Sequence, residues 1–402
     1  MGELSTTERD AVERAAAEPM LEQVQAWSAV NSGSANLPGL QQVADLLSDA
    51  FSALPGELAL RDPAPVSAID SDGRVREVAH GRNLRVTVRA DAPLQLLFTG
   101  HMDTVYGADH LFQEMQWLDE RTLVGPGVAD MKGGLAVMLA ALKAVEASPL
   151  ASRLGYEVVI NSDEEVGSPG SAALLAKAAR GKRAALTYEP AALPDGTLAG
   201  ARPGSGNFSF VVAGRSAHAG RNPEDGRNAV VAAADLALRL DAAKRQGLTV
   251  NVARVDGGGP NNVVPDGAVL RVNLRPRTGE LQGEAQAAIE RAVAEVAAAH
   301  DVGIRAHGGF GRPPKPLDAR AEQLFALVAQ AGADLGQPIR WQPSGGVCDG
   351  NNIAACGVPV VDTMGVRGGK IHSPEEYLIV DSLPERAALS AVTILRLAAE
   401  AA

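Results

Sequence analysis

Cysteine is scarce in this chain, which has only Cys348 and Cys356 among its 402 residues. Two cysteines cannot form a disulfide framework and agree with a reducing compartment, so we expect a cytoplasmic protein. The acidic and polar residues 1–10 lack the apolar run of a signal peptide, which supports the same expectation. A run of about 18 apolar residues is also missing, so we predict no membrane span.

Positive charge is in short supply, with 37 Lys and Arg against 48 Asp and Glu and a net charge of −11. A protein without a basic surplus cannot neutralise many phosphates, which argues against nucleic acid as a partner. The composition, with 46% hydrophobic and 21% charged residues, is that of a globular protein. Its length exceeds that of one ordinary domain, so we predict two.

Several catalytic signatures are absent from the sequence. It contains no G-x-x-x-x-G-K-[ST] loop, no H-E-x-x-H and no G-x-S-x-G. The segment 125–130 nearly matches the dinucleotide-binding fingerprint but has Asp130 where the third glycine belongs, and a carboxylate there would repel a pyrophosphate. The sequence therefore does not support nucleotide binding, and it lacks the commonest signatures of one-zinc proteases and of serine hydrolases.

Predicted strands and helices alternate along the first two hundred residues. The predicted helices are 7–30, 37–54, 132–146 and 170–180, and the predicted strands are 83–90, 94–99, 156–161 and 183–188. Such alternation is typical of an α/β fold with a mostly parallel sheet.

The pattern changes near Gly200. Strands are predicted at 208–213, 248–255, 268–274 and 302–307, and helices at 228–244 and 281–299. Their order, β-α-β-β-α-β, is that of a ferredoxin-like unit. After the proline-rich segment 312–316, a helix at 319–333, a strand at 358–363 and a helix at 383–400 resume the first pattern. We therefore predict a catalytic domain made of 1–203 and 312–402, interrupted by an α+β domain over 204–311.

Side chains suited to metal binding follow the predicted strands or the loops beyond them. They are His101 with Asp103, Asp130, the run Asp163, Glu164 and Glu165, Glu189, and His372. Any one of these places alone is explained more simply as a solvated turn. Ligands bind beyond the carboxyl ends of strands in open α/β sheets, so five such places at one edge favour a metal site. Histidine and carboxylate together suit zinc or a similar ion, and a shared carboxylate would hold two ions about 3.5–4 Å apart.

Five motifs resemble, in order, those of the di-zinc exopeptidase and deacylase family, which includes glutamate carboxypeptidase, acetylornithine deacetylase and the aminoacylases. The motifs are HMDTV at 101–105, GPGVADMKGG at 125–134, DEEVGS at 163–168, EP at 189–190 and HSPEEY at 372–377. The resemblance covers the chain from about residue 20 to its end. It implies a zinc-peptidase-like catalytic domain with two divalent ions, zinc first, with cobalt or manganese as alternatives.

The resemblance also implies a role for each motif residue. Asp130 would bridge the two ions, and its peptide bond to Met131 would be cis. The other ligands would be His101 and Glu189 for one ion, and Glu165 and His372 for the second. Asp103 would orient His101, and Glu164 would be the general base.

The segment GRSAHAG, 214–220, resembles the family's segment whose histidine reaches the active site of a neighbouring subunit. His218 would stabilise an oxyanion there, which implies a homodimer paired through residues 204–311. From the residues alone, a lone histidine in a glycine-rich loop is more simply a turn residue. His80, His110, His300 and His307 have no motif context, and we interpret them as structural or solvated.

Three residues are candidates for substrate binding. Asn262 and Arg312 match positions that contact substrate in glutamate carboxypeptidases, and Arg202 would add positive charge. From the residues alone, an arginine before Pro-Pro is explained equally well by hinge chemistry. Cys348 stands where relatives usually carry Ser or Thr, which leaves glutamate selectivity open.

We therefore expect a di-metal hydrolase that cleaves an amide bond next to an amino acid with a free carboxylate, as glutamate carboxypeptidase does, with Glu164 as the base. The alternative within enzymes is an N-acyl-amino-acid deacylase. The alternative outside enzymes is a metal-free scaffold or binding protein, which should have lost a ligand or the base. The expected partners are a small peptide or N-acyl amino acid and a second copy of the chain.

Overall fold

The computed structural model describes residues 4–400, which contain ten α-helices. The helices are α1 Thr6–Ala16, α2 Met20–Ser28, α3 Leu37–Phe51, α4 Gly133–Glu146, α5 Ala172–Ala179, α6 Ala229–Asp241, α7 Gly279–His300, α8 Ala319–Asp334, α9 Asp349–Ala355 and α10 Ser382–Glu400. Side-chain caps fix several of their starts: Ser5 and Glu8 form a capping box at α1, and Asn228 accepts two backbone N–H groups at α6.

Eighteen β-strands lie in the same described residues. The strands are β1 Glu57–Arg61, β2 Val66–Ile69, β3 Val75–Val78, β4 Asn83–Val88, β5 Leu94–His101, β6 Gln116–Asp119, β7 Thr122–Val124, β8 Leu154–Asn161, β9 Ala184–Thr187, β10 Leu198–Ala199, β11 Ser205–Ala213, β12 Leu248–Gly257, β13 Gly267–Pro276, β14 Gly303–Arg312, β15 Trp341–Gln342, β16 Val360–Val361, β17 Gly368–Gly369 and β18 Tyr377–Ile379.

A six-stranded sheet with the order β1-β4-β8-β5-β9-β16 forms the centre of the first unit. The pairings of β5 with β8 and β9, and of β9 with β16, are parallel, while β1, β4 and β8 pair antiparallel. The helix α4 is buried on nearly all sides and packs against α1 and α10, as its apolar sequence requires. The predicted α/β class with a mostly parallel sheet is confirmed.

The register of the parallel strands brings the predicted site segments together. His101 at the end of β5 pairs with Asn161 at the end of β8, so the loops that follow emerge side by side. Strand β9 ends on the other side of β5, two residues before Glu189. The carboxyl edge of the sheet therefore gathers three of the five motifs.

A second sheet is antiparallel throughout, with the order β12-β13-β11-β14. The helices α6 and α7 pack on it and share a hydrophobic core with it, which includes Phe210, Leu236 and Leu270. The chain order β11-α6-β12-β13-α7-β14 is the predicted β-α-β-β-α-β order.

The prediction of one helix over 7–30 is wrong. Ala17–Pro19 separates α1 from α2, because proline lacks the backbone N–H that a continuous helix needs. The hairpins β2–β3 and β6–β7 and the short helix α9 were not predicted. Within residues 4–400, no helix is both long and apolar enough to cross a membrane.

Candidate metal centre

Two irregular turns carry the central side chains. An irregular turn with non-helical backbone at Asp130 and Met131, Val128–Lys132, precedes α4, and its peptide bond between Asp130 and Met131 is cis, which confirms that expectation. At Gly134, a Cβ atom would lie 1.9 Å from the carbonyl oxygen of Tyr188, so the start of α4 approaches the end of β9 only because glycine stands there. A 3₁₀ turn, Glu164–Val166, is separated from the end of β8 by two residues.

Asp130 lies between two histidines, with one carboxylate oxygen facing each. The Nε2 atom of His101 is 3.2 Å from Oδ1 of Asp130 and 3.7 Å from Oε2 of Glu189. The Nε2 atom of His372 is 3.3 Å from Oδ2 of Asp130 and 3.1 Å from Oε2 of Glu165. The structure therefore places the five predicted ligands in one cluster, with Asp130 between two pairs.

Asp103 orients both a histidine and a loop. Nδ1 of His101 lies 3.0 Å from the backbone carbonyl oxygen of Asp103 and 3.3 Å from its Oδ1 atom, and such contacts fix the ring of a metal-binding histidine. The backbone N–H groups of Glu164 and Glu165 donate to the two oxygens of Asp103, each at 3.1 Å. The hydroxyl of Ser34 donates to Oδ2 at 2.7 Å.

The electrostatics of the cluster favour bound cations. Burial raises the pKa of Glu164 and Glu189 to about 8 and that of Glu165 to about 7, because charged carboxylates are costly in a buried cluster. The hydrogen bonds of His372 to Asp130 and Glu165 raise its pKa to about 11. Imidazole nitrogens and carboxylate oxygens that crowd together in this way are the donor set of zinc and similar ions, so the residues fit a metal centre.

Glu164 is held by Arg312, which is buried at the end of β14. One guanidinium nitrogen, Nη2, donates to Oε1 of Glu164 at 2.8 Å, to its carbonyl oxygen at 3.0 Å and to the hydroxyl of Ser168 at 3.1 Å. The other, Nη1, donates to Oδ1 of Asp349 at 3.0 Å. Arg312 was predicted to bind substrate, and the structure places it on the predicted general base.

Arg202 is also paired within the protein. Its guanidinium donates two hydrogen bonds to Asp362, at 2.8 and 3.1 Å, and Nζ of Lys315 lies 2.8 Å from the same carboxylate. Burial alone would raise the pKa of Asp362, but the charges of Arg202 and Lys315 lower it to about 2. Cys348 donates its thiol to Asp362 at 3.5 Å, and burial raises the pKa of that thiol.

A cavity of about 520 Å³ opens beside the cluster. The four carboxylates Asp130, Glu164, Glu165 and Glu189 line it together with His372. Other lining residues are Ala191, Arg202, Val347, Cys348, Ile371 and Tyr377. The candidate centre therefore faces a chamber of the size that small ligands occupy.

His218 and Asn262 lie elsewhere, on exposed loops at one end of the second sheet. Nδ1 of His218 accepts the backbone N–H of Gly220 at 3.1 Å, and the carbonyl of Asn262 accepts that of Ala219 at 3.0 Å. Neither residue lines the cavity, so their roles in binding and catalysis remain predictions.

The remaining histidines stay outside the cavity. His300 pairs with Asp235, and Nδ1 of His110 accepts the backbone N–H of Phe112. The ring nitrogens of His80 and Nε2 of His307 are buried with no hydrogen-bond partner.

Sequence reasoning missed four polar residues near the centre: Tyr106, Asp349, Asp362 and Glu376. Asp349 and Asp362 pair with arginines far away in sequence, and nothing in the chain marks those partners. Glu376 lies inside the motif HSPEEY, so its position next to a predicted ligand was the available signal.

The comparison with known families decides the relationship. The sequence pattern of peptidase family M20/M25/M40 matches residues 97–396. The chain belongs to this family. Membership confirms the expected resemblance, and it makes the chain a hydrolase of the peptidase and amidohydrolase type from a family that uses divalent metals.

The names of similar proteins within the M20/M25/M40 family denote different activities. Carboxypeptidase G2 of Pseudomonas sp. (strain RS-16) is 31% identical over 330 residues, which are 79% of this chain and 78% of that protein. Succinyl-diaminopimelate desuccinylase of Psychrobacter arcticus is 25% identical over 315 residues, 72% of this chain and 74% of that protein. The M20 family metallo-carboxypeptidase Sso-CP2 from Sulfolobus solfataricus shares the fold, with a TM-score of 0.71 at 14% identity, over 95% of this chain and 100% of that one.

Proposed function

We propose that this M20-family hydrolase cleaves the amide bond next to an amino acid with a free carboxylate, as a carboxypeptidase does. The observation that carries the proposal is the cluster around Asp130, in which two histidines and two further carboxylates surround one carboxylate while Glu164 stands beside them. Ligand atoms of His101, Glu164 and Glu189 lie within 4.8 Å of one another. Glu164 is thus close enough to serve a water molecule at the centre.

The metal ligands follow from the same cluster. His101 and Glu189 would hold one divalent ion, Glu165 and His372 a second, and Asp130 both; zinc is the first candidate and cobalt or manganese are alternatives. When bound, such ions make water ionise near neutral pH and polarise a carbonyl.

The chain itself supplies proton transfer and alignment. Glu164 takes the proton from the attacking water and returns it to the leaving amine, a role that needs a carboxylate within hydrogen-bond reach of both. Arg312 fixes the carboxylate of Glu164, and Asp103 fixes the backbone of the same turn. The side chains of Arg312 and Glu164 are largely buried, which strengthens their ion pair.

A homodimer completes the proposal. His218 is exposed on the second unit and does not line the cavity of its own chain, which fits a residue that serves a second copy. Residues 204–311 would form the contact between the subunits, and His218 would stabilise the oxyanion at the partner's centre. We also propose the cytoplasm as the compartment.

A second candidate is an N-acyl-amino-acid deacylase, which the similarity to a desuccinylase favours. Both reactions cleave an amide bond and differ in which side of that bond is selected. A zinc-reconstituted enzyme should be tested on dipeptides and N-acyl amino acids that share one half and vary the other, with glutamate as the first leaving residue. Selectivity for the released amino acid supports the carboxypeptidase, and selectivity for the acyl group alone supports the deacylase. The absence of any tightly bound divalent ion, even after zinc supplementation, would favour the metal-free scaffold or binding protein.

A further inference from the structure

Glu376 lies where three segments with predicted metal ligands meet, and the proposed function gives it no role. It follows His372 by four residues in the motif HSPEEY and is only 1% exposed. Its Oε1 atom accepts the backbone N–H groups of Ala129 and Asp130, both at 3.0 Å. Its Oε2 atom accepts the hydroxyl of Tyr106 at 2.9 Å.

The two backbone contacts act directly on the shared ligand. The peptide N–H of Asp130 and the one before it point at the same carboxylate oxygen, which fixes how the backbone enters Asp130. That backbone orientation determines where the two carboxylate oxygens of Asp130 lie, and they face His101 at 3.2 Å and His372 at 3.3 Å. A small rotation at this point would move both oxygens at once.

Tyr106 connects the segment that contains His101 to the segments that contain Asp130 and His372. Tyr106 follows the motif HMDTV by one residue, and its hydroxyl also lies 2.8 Å from the carbonyl oxygen of Ser373. The backbone N–H of Gly125 donates to the carbonyl of Glu376 at 3.1 Å, and β18 pairs with β7 beside it. The segments that contain His101, Asp130 and His372 are therefore tied to one another through Glu376.

We propose that Glu376 is a positioning residue for the metal centre, which holds Asp130 so that its carboxylate is shared between two ions. It acts through Asp130 and does not line the cavity. The inference rests on the proposed metal-dependent function, because it takes Asp130 as the shared ligand. Partners that orient metal ligands in this way typically change metal affinity or activity about 10–100-fold when mutated.

Two conservative variants separate the effect of the side-chain length of Glu376 from the effect of its charge. Glu376→Gln keeps the length and one oxygen acceptor but loses the charge, so we expect Zn²⁺ affinity within about threefold of wild type. Glu376→Asp keeps the charge but is one methylene shorter, so the carboxylate cannot reach the two N–H groups. We expect Glu376→Asp to bind Zn²⁺ about tenfold or more weakly, in the range typical of such partners.

The measurement is Zn²⁺ affinity and stoichiometry of the full chain, determined by competition with a chromophoric chelator, with circular dichroism of each variant. Glu375→Ala is the matched control, because Glu375 is the adjacent carboxylate but makes only an exposed pair with Lys370 at 3.4 Å. We expect that control to bind Zn²⁺ like wild type. If Glu376→Asp does not fold, Tyr106→Phe replaces it, and that variant should weaken Zn²⁺ binding severalfold.

The outcomes separate this inference from the proposed function. Wild type that binds two Zn²⁺ per chain while Glu376→Asp binds them equally well overturns the positioning role and leaves the hydrolase proposal intact. An equal loss in Glu375→Ala overturns it as well, since the effect would then be one of local charge. Wild type that binds no Zn²⁺ removes the metal centre and this inference together. Weak Zn²⁺ binding by Glu376→Asp, together with near wild-type Zn²⁺ binding by Glu376→Gln, supports the positioning role.

Discussion

Replacement of Arg312 by alanine tests whether this residue serves catalysis or substrate charge. The guanidinium is buried and connects the carboxylates of Glu164 and Asp349 through hydrogen bonds of 2.8 and 3.0 Å. In Arg312→Ala both carboxylates lose that partner inside the protein. Breaking a buried pair in this way typically costs about 3–5 kcal/mol of stability.

The catalytic loss is smaller than the loss in stability, because only the contact with Glu164 acts on the proposed base. A hydrogen bond to a charged group contributes about 1.5–3 kcal/mol. Since each 1.36 kcal/mol changes a rate about tenfold, Arg312→Ala should lower kcat/KM by about 10–150-fold. Arg312→Lys keeps the charge but cannot span two carboxylates, so it should recover only part of the activity.

The assay is kcat/KM of zinc-loaded enzyme on matched substrates with acidic and neutral leaving residues. We expect the same loss on both, since Glu164, as the proposed base, would act on every substrate. Arg320→Ala is the control, because Arg320 is exposed and donates only to the carbonyl of Gly357. A loss confined to acidic substrates would refute this reasoning and would make Arg312 the substrate-binding residue that the sequence analysis predicts.

Three further predictions concern other parts of the centre. Glu164→Gln should retain its metal but lose about 10²–10⁴-fold in kcat, as expected for the loss of a general base. Arg202 and Lys315 lower the pKa of Asp362 to about 2, so the charge of Asp362 makes the free energy of unfolding depend on pH. Asp362→Asn should remove that pH-dependent contribution. Mixed dimers of Glu164→Gln and His218→Ala chains should regain activity that neither homodimer has, because one site in each mixed dimer is complete.

Each of these predictions has a contrary result. Metal-replete Glu164→Gln with wild-type turnover would remove its assignment as the base. A pKa below the unfolded value stabilises the fold above about pH 4, and the contribution of Asp362, about 2 kcal/mol, disappears as the pH falls toward 2. An unchanged slope of unfolding free energy against pH in Asp362→Asn would contradict that account. Inactive mixed dimers would place His218 outside the neighbouring site.

The clustering of the candidate ligands could be predicted because three of their segments follow buried strands. The strands β5 and β8 are almost fully buried apolar runs, and the parallel register of their ends brings the two loops together. The hairpins β2–β3 and β6–β7 were missed because they are short and mostly exposed, so they show no clear hydrophobic alternation.

Pairs between distant residues were beyond the sequence pattern. Arg202 and Arg312 were identified as cations near the site, but their partners Asp362 and Asp349 lie 160 and 37 residues away. Only the fold brings these charges together, and it gives each arginine a carboxylate partner within the protein. Glu376 was likewise inside a recognised motif, yet its Oε1 atom accepts two backbone N–H groups from a turn 246 and 247 residues earlier.

The most direct test of the central claim is the number of divalent ions that one chain binds. Equilibrium dialysis against Zn²⁺ followed by elemental analysis should give two ions per chain for wild type. Asp130→Ala should bind fewer than one, because both proposed ions would share that carboxylate. Wild type with no bound ion, or Asp130→Ala with two, would contradict the account.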